Sequence, residues 1–329
     1  MNQTAFVFPG QGSQHVGMGS QLLELCPGLV DSRYRPADDL LGIPLSTLCR
    51  QGPVEVLRET AVTQPAVFLT SVATWDVLHA RGIVPDVVAG HSLGEYAALV
   101  CAGVLEWTDA LRLVRRRGEL MAAVNASVPG SMAAVIGLRT ADVERICARV
   151  AAETGRVVEV ANDNEPGQAV VSGEADAVER VGTEAQASGA LKVLSLAVGA
   201  PFHCALMAGI EAEFAAELDR VTFSEPRLPV LSSVTADLVA TAAEAKSCLA
   251  RQLTGRVRWT ETVQRMRQQG VGRVVEVGPG RVLGGLSRRI EPGLQVRSTH
   301  NRRHLDATLA DFVPAPATAS AAAGHRQEV

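Results

Sequence analysis

The chain has 329 residues, of which 47% are hydrophobic and 20% are charged, and its formal net charge at pH 7 is −4. This length allows one large domain or two smaller ones, and the charge lacks the basic excess that binding to nucleic acid or to an anionic membrane requires. No apolar run approaches the ~18 residues of a membrane span, and the N-terminus lacks the charged and apolar segments of a secretory signal.

Short apolar runs alternate with longer segments of helical periodicity along most of the chain. Buried strands are predicted at 5–10, 84–90, 131–137, 157–162, 169–173, 191–198 and 273–280. Helices are predicted at 65–82, 95–105 and 107–124. Strand-then-helix repetition of this kind predicts an α/β protein with a mainly parallel sheet.

The middle of the chain has a different pattern. Four short strand-like runs surround two amphipathic helices, TADVERICARVAAETG and ADAVERVGTEAQASG, in the order β-α-β-β-α-β. That order is typical of a ferredoxin-like unit. We therefore predict a small ferredoxin-like subdomain at 126–197, inserted into a large α/β-hydrolase-like domain formed by 1–125 and 198–312. The Pro-, Ala- and Ser-rich tail at 313–329 is expected to be disordered.

A serine stands between two glycines at the end of a predicted strand, in VVAGHSLGE at 87–95. Gly-x-Ser-x-Gly between a strand and a helix is the nucleophile-elbow pattern. In such a turn Ser92 Oγ projects from the carboxyl end of the sheet, and the Leu93 N–H lies at a helix N-terminus, where it can stabilise an oxyanion. The alternative is a Gly-Ser turn without chemistry.

A serine nucleophile needs a base, and two histidines are candidates. His91 adjoins Ser92, but neighbours on an elbow point apart, so His91 is predicted to line the cleft. His203, in GAPFHCALM, follows a predicted strand and opens a helix, although a lone histidine is more often structural. No carboxylate between 92 and 203 stands out as a third member. Asp163 has no special claim, and a backbone carbonyl could also orient the imidazole.

The six cysteines and seven histidines are scattered, without a C-x-x-C or an H-E-x-x-H. This spacing favours reduced thiols over disulfides or a zinc site. We therefore expect a cytoplasmic protein that holds no metal.

Eight segments carry a family resemblance that extends from residue 6 to about 290. They are FPGQGSQHVGMG (8–19), TQPA (63–66), GHSLGEYAALVCAG (90–103), RRRGELM (115–121), NEPGQAVVSG (164–173), PFHCALM (201–207), RQLTGRVRW (251–259) and EVGPGRVLGGL (276–286). In this order they resemble the malonyl-CoA:acyl-carrier-protein transacylases and the related acyltransferases of polyketide synthases, both as domains and as free-standing enzymes.

The resemblance implies a role for each matching residue. Ser92 would accept the acyl group, with His203 as its general base. The backbone carbonyl of Gln252 would orient the imidazole, which would explain the missing carboxylate. Gln11 and Leu93 would donate the amides of the oxyanion hole.

Arg117 and Phe202 bear on the choice of acyl group. By periodicity alone Arg117 belongs to the solvated face of a run of three arginines, but the family places this arginine inside the pocket, where its planar fork can hold a carboxylate. The family's residue before the catalytic histidine lies near Cα of the acyl group, and a phenylalanine there goes with malonyl rather than methylmalonyl. Gln64 and Asn162 would help to line the acyl pocket.

The resemblance thus implies transfer of a malonyl group from malonyl-CoA, through a malonyl-serine ester, to the phosphopantetheine thiol of an acyl carrier protein. No bound cofactor is implied, and the pathway would be fatty-acid or polyketide biosynthesis. Candidate contacts for the carrier protein are Arg115, Arg116, Arg288 and Arg289. Three alternatives stay open: a serine acyl hydrolase on the same scaffold, an acyltransferase for another dicarboxylic donor such as methylmalonyl-CoA, and a carrier-binding scaffold without chemistry.

Overall fold

Residues 3–312 are the part of the chain that this computed structural model describes, and they fold into two β-sheets with helices around them. The strands are β1 (Gln3–Phe8), β2 (Val87–Gly90), β3 (Gly130–Ile136), β4 (Val158–Glu165), β5 (Gln168–Glu174), β6 (Lys192–Ser195), β7 (Val230–Leu231), β8 (Leu238–Val239), β9 (Val257–Arg258), β10 (Val271–Glu276) and β11 (Gln295–Ser298). The α-helices are α1 (Ser20–Leu25), α2 (Arg35–Leu41), α3 (Leu45–Gln51), α4 (Val54–Leu57), α5 (Thr60–His79), α6 (Gly94–Cys101), α7 (Trp107–Ser127), α8 (Thr140–Thr154), α9 (Ala175–Ala187), α10 (Glu211–Asp219), α11 (Ala242–Arg251), α12 (Trp259–Gln268), α13 (Val282–Ile290) and α14 (Arg302–Phe312). A π-helical turn spans Val30–Tyr34 and a 3-10 helix spans Ala205–Ile210. The tail at 313–329, for which disorder is expected, lies outside the described residues.

The six-stranded sheet carries the nucleophile elbow. Its strand order is β11-β10-β1-β2-β7-β8, and every pairing is parallel except that of β7 with β8. The central strands β1 and β2 contain the apolar runs AFVF and VVAG because helices cover both faces. Phe6 and Phe8 of β1 share a core with α5, α6 and α7, whereas Ala5 and Val7 share one with α12 and α13. The predicted α/β architecture with a mainly parallel sheet is therefore confirmed.

The second sheet has the strand order β6-β3-β5-β4-β9. Strands β3 to β6 pair antiparallel and follow the chain order β3-α8-β4-β5-α9-β6. Apolar residues of α8 and α9, among them Val143 and Val178, are buried against this sheet. Strand β9 adds to β4 in parallel. Because β9 comes from beyond residue 198, the segment 126–197 does not build this sheet alone.

The structure differs from the sequence prediction in several elements. Strands β7, β8, β9 and β11 are not predicted from the sequence. Strands β7, β8 and β9 are only two residues long and depend on pairing with a neighbour. Helix α5 begins at Thr60, before the predicted start at 65, and Pro65 lies inside it. Proline has no N–H to donate to the carbonyl of Ala61 one turn earlier. Arg115 Nη1 donates to that carbonyl at 2.8 Å instead, so the helix continues through the proline.

Candidate active site

Ser92 lies on the tight turn between β2 and α6, at the carboxyl end of a parallel strand. Its φ of 51° is a left-handed conformation that residues other than glycine rarely adopt. The flanking glycines are required by close backbone contacts. A Cβ on Gly90 would lie 2.0 Å from Glu95 N, and a Cβ on Gly94 would lie 1.9 Å from Phe8 O. The sequence pattern therefore folds into the strained turn that a nucleophile elbow requires.

His203 contacts the serine. Its Nε2 lies 2.8 Å from Ser92 Oγ, and its Nδ1 lies 2.9 Å from the Gln252 carbonyl and 3.1 Å from the Gly255 carbonyl. Carbonyl oxygens only accept, so Nδ1 carries the ring proton and Nε2 presents its lone pair to the hydroxyl. In this arrangement a carbonyl orients the imidazole, and a carboxylate is not needed for that purpose.

The segment that carries His203 differs from the prediction. Strand β6 ends at Ser195, so His203 does not directly follow a strand, and it lies in a turn just before the 3-10 helix. Gly199 and Pro201 lie between the strand and the histidine, and neither residue favours strand structure. His203 itself has a φ of 59°, a second left-handed residue in the site.

The environment of His203 keeps its imidazole neutral. Burial lowers its pKa to about 3, and the positive charge of Arg117 acts in the same direction. The side chain is 4% exposed. A neutral imidazole at physiological pH is the form that can take the serine proton.

This shift predicts a pH dependence of stability. Below about pH 6.5 an unfolded histidine binds a proton that the native His203 does not bind, so the free energy of unfolding falls as the pH falls from 6.5 toward 3. We expect His203 to contribute a loss of about 2 kcal/mol between pH 6.5 and pH 5. Urea unfolding at both pH values measures it.

The control for that measurement is His203→Gln, which keeps an N–H for the Gln252 carbonyl and does not titrate. Burial also lowers the pKa of His91, so the wild-type chain loses stability from both histidines. The difference between the two proteins isolates His203. Equal pH dependence in both would contradict the assigned neutral state.

Arg117 is buried beside the serine. Its Nη2 donates to Ser92 Oγ at 3.1 Å and to Gln252 Oε1 at 3.0 Å, and its Nη1 donates to Gln64 Oε1 at 2.9 Å. These acceptors are neutral, and no carboxylate within residues 3–312 forms an ion pair with it. Its Nε has no hydrogen-bond partner in the described structure. Its guanidinium carbon lies 5.9 Å from the centre of the Tyr96 ring. The interpretation of Arg117 as part of a solvated face is therefore wrong.

The other two arginines of the run point elsewhere. Successive residues of a helix are turned by about 100°, so the three side chains cannot share one direction. Arg115 pairs with Glu119 and bonds the Ala61 carbonyl, and Arg116 pairs with Glu119 and with Glu213 on α10. Only the third arginine of the run enters the interior.

The amides predicted for the oxyanion hole lie on two neighbouring loops. Leu93 immediately precedes α6, so its N–H points out of a helix N-terminus. Gly10, next to Gln11, approaches the elbow so closely that a Cβ there would lie 2.6 Å from the His91 carbonyl. Among the described residues, no hydrogen bond uses the backbone N–H of Gln11 or of Leu93. Both donors are available to a ligand.

The remaining predicted residues occupy different positions around the serine. Gln64 is buried on α5 and reaches Arg117. Phe202 precedes His203 and packs in the main core. His91 turns away from Ser92: its Nε2 lies 2.9 Å from Asn164 Oδ1 on β4, and its ring lies 5.6 Å from that of Trp259. The buried Asn162 Oδ1, also on β4, has no partner within the described part of the chain.

Sequence reasoning missed the polar residues beneath the serine. Glu95, the last residue of the VVAGHSLGE stretch, has no role predicted from the sequence, yet it is 1% exposed and accepts hydrogen bonds from Ser233 and from Gln252 Nε2. The Gln252 side chain was not expected to take part, since only its carbonyl was assigned a role. A charged residue at the head of the apolar helix EYAALVC was the one available signal.

Three further features concern metal, thiols and membranes. No group of His, Cys, Asp and Glu within residues 3–312 is placed to hold a metal ion. All six cysteines are free. Among the described helices, none is long and apolar enough to cross a membrane.

Comparison with known proteins gives close matches over nearly the whole chain. The family model described as "Acyl transferase domain" matches residues 5–291. Malonyl CoA-acyl carrier protein transacylases from Salmonella typhimurium and from Escherichia coli K12 are 44% and 43% identical to it over 310 residues, which is 94% of this chain and 99% of each relative.

Solved structures agree with these matches. An acyl carrier protein S-malonyltransferase from Vibrio cholerae has a TM-score of 0.88 at 44% identity, covering 93% of this chain and 99% of that one. A malonyl-transacylase in complex with a type II polyketide synthase acyl carrier protein has a TM-score of 0.89 at 43% identity, covering 94% of this chain and 99% of that one.

Proposed function

The chain belongs to the acyl transferase domain family, and from that premise we propose that Ser92, His203 and Arg117 transfer a malonyl group from malonyl-CoA to an acyl carrier protein. The enzyme is a malonyl-CoA:acyl-carrier-protein S-malonyltransferase and needs no bound cofactor. One observation carries the assignment of these residues. A buried guanidinium without a counter-ion within the described residues lies 3.1 Å from a serine that contacts a neutral imidazole.

The first half-reaction acylates the serine. The Ser92 hydroxyl donates its proton to His203 Nε2 while Oγ forms a bond to the thioester carbon. The carbonyl oxygen becomes an oxyanion, which the N–H groups of Gln11 and Leu93 stabilise. The C–S bond then breaks, and the CoA thiol leaves with the proton from His203. The product is a malonyl-serine ester.

The second half-reaction runs the same steps in the opposite direction. The phosphopantetheine thiol of the carrier protein gives its proton to His203 and attacks the ester carbon. The oxyanion forms again on the same two amides, and the C–O bond breaks as Ser92 Oγ recovers the proton. The malonyl group leaves as a new thioester.

Arg117 selects the donor through its charge. A buried cation that only neutral groups contact is costly, and the free carboxylate of a malonyl group would supply the missing negative charge. An acetyl group would leave the cation unmatched, so the site discriminates against it. Phe202 sits next to His203 in the core and, as part of this proposal, crowds a branching methyl, which favours malonyl over methylmalonyl.

We also propose that the chain folds as two domains. Residues 126–197 form a ferredoxin-like subdomain that walls the cleft, and 1–125 with 198–312 form the α/β-hydrolase-like domain. Support comes from the chain order β3-α8-β4-β5-α9-β6 and from the hydrogen bond between His91, on the elbow, and Asn164, on β4. A wall there would keep water from the ester.

We further propose that the protein is cytoplasmic. A cytoplasmic location is supported by the six free cysteines, since reducing compartments keep thiols unpaired.

Four arginines remain predicted contacts for the carrier protein: Arg115, Arg116, Arg288 and Arg289. All four already have partners in the chain: Arg289 pairs with Glu165, Arg288 donates to the Val296 carbonyl, and Arg115 and Arg116 pair with Glu119.

The test is the mass of the intact protein after mixing with malonyl-CoA. We expect a gain of one malonyl group that is absent in Ser92→Ala and that disappears when a phosphopantetheinylated carrier protein is added. Malonyl-carrier protein should form in the same amount. Free malonate accumulating without an adduct would instead indicate the serine acyl hydrolase. A hydrolase of neutral acyl groups would have no use for the buried cation.

A further inference from the structure

A buried line of polar side chains lies beneath Ser92, and the proposed reaction does not use it. Its members are Glu95, Ser233 and the amide of Gln252, none of them more than 1% exposed. Glu95 Oε2 accepts from Ser233 N at 3.0 Å, from Ser233 Oγ at 2.7 Å and from Gln252 Nε2 at 2.9 Å. Buried polar groups are costly unless they are satisfied, and Glu95 Oε1 has no partner within the described residues, so this line requires an explanation beyond packing.

The carboxylate decides which way the Gln252 amide faces. Burial raises the pKa of Glu95, and the hydrogen bonds from Ser233 and Gln252 act in the opposite direction. Because Oε2 already accepts from the Ser233 N–H, it faces the amide as an acceptor, and the NH2 end of the amide must point toward it. Nε2 also donates to the Ser92 carbonyl at 3.1 Å, and Oε1 is left to accept from Arg117 Nη2 at 3.0 Å. With the amide reversed, an NH2 group would face the guanidinium, two donors against each other. Glu95 thus selects the orientation that Arg117 requires.

Glu95 also supplies charge. Burial lowers the pKa of Arg117, and the nearby Tyr96 and Glu95 oppose that effect. Among the described residues Glu95 makes no direct ion pair with Arg117, because the Gln252 amide stands between them. A negative charge on the far side of the Gln252 amide stabilises the guanidinium without occupying the donors that a substrate needs.

We propose that Glu95 is a positioning residue for donor selectivity. Through the Gln252 amide it holds the Arg117 guanidinium in the orientation that receives the carboxylate of the acyl group. This inference rests on the role given to Arg117 in the proposed function.

Glu95→Gln tests the inference, because it keeps the shape, removes the charge and no longer specifies the orientation of the facing amide. We expect the ratio of kcat/KM for malonyl-CoA to that for acetyl-CoA to fall about tenfold, mainly through a higher KM for malonyl-CoA. A role in packing alone would lower both kcat/KM values in proportion. An unchanged ratio would therefore overturn the proposal.

Glu276→Gln is the matched control. Glu276 is buried like Glu95, but it ends β10 of the six-stranded sheet, and its oxygens accept from the backbone N–H groups of Leu283 and Gly284 at the start of α13. Glu276→Gln is expected to lower the free energy of unfolding and to leave the ratio of the two kcat/KM values unchanged. A fall equal to that in Glu95→Gln would show that any buried carboxylate matters, and would contradict the specific link.

Two more variants separate this inference from the proposed function. In an Arg117→Ala background, adding Glu95→Gln should leave the ratio as it is, whereas a further tenfold fall would overturn the link through the arginine. If Arg117→Ala alone keeps the malonyl preference, the proposed substrate role of Arg117 fails.

If Glu95→Gln does not fold, Gln252→Met tests the same link. It removes the same amide and keeps the backbone carbonyl, so it should lower the ratio equally. An unchanged ratio in Gln252→Met would contradict the proposal.

Discussion

Replacing Ser92 with alanine is expected to lower kcat for malonyl transfer by at least about 10⁴-fold. In the proposed reaction Ser92 Oγ is the atom that forms the ester, and His203 Nε2 has no second nucleophile within hydrogen-bond reach among the described residues. What activity is left would come from binding and from the oxyanion-hole amides. A coupled assay of malonyl-carrier protein formation measures the loss.

The variant should fold as the parent does. Alanine removes one oxygen from a partly buried position, and water can replace it as a partner for Arg117 and His203. Ser188→Ala, at the exposed end of α9, serves as the control and should keep full activity. Full transfer activity in Ser92→Ala would overturn the catalytic assignment altogether.

Replacing Arg117 with alanine is expected to reverse much of the donor preference. We expect kcat/KM for malonyl-CoA to fall by about 10²–10³-fold, on the scale of the 2–5 kcal/mol that a buried charged pair loses when one partner is removed. Loading of acetyl should rise, because no unmatched cation then opposes a neutral acyl group. Competition between malonyl-CoA, methylmalonyl-CoA and acetyl-CoA measures both changes.

Two further variants serve as an intermediate case and as a control for Arg117→Ala. Arg117→Lys keeps a positive charge but lacks the planar fork that bonds Gln64, Gln252 and Ser92 together, so it should be intermediate. Arg112→Ala lies on the exposed side of the same helix, where the arginine pairs with Asp109, and should leave selectivity unchanged. Unchanged selectivity in Arg117→Ala would remove this residue from the account of substrate choice.

The three consecutive arginines show where local pattern stops being informative. Periodicity places the run on a solvated face, which describes Arg115 and Arg116 but not Arg117. All three are the same residue type on one helix. Whether a guanidinium enters the core depends on acceptors from α5 and from the loop after α11, which are distant in sequence. A resemblance to a family located this arginine, and periodicity did not.

The short strands show the same limit. Strands β7, β8 and β9 each have two residues and exist because a partner strand lies alongside. A strand of that length has no period to detect. The long parallel strands were predictable because coverage on both faces forces their residues to be apolar in one continuous run.

The amino-acid sequence by itself determined the α/β class, the buried parallel strands, the amphipathic helices of the second sheet and the glycine-flanked turn at Ser92. Each of these follows from periodicity and steric demands among residues close together in the chain. Local pattern did not determine that a carbonyl orients His203 or that Arg117 is buried, which only a family resemblance implied, and only the tertiary structure placed Glu95 behind the arginine. The serine and the histidine are 111 positions apart, and Gln252 is 157 from Glu95. Contacts over such separations arise from the packing of whole elements, which local preferences do not specify.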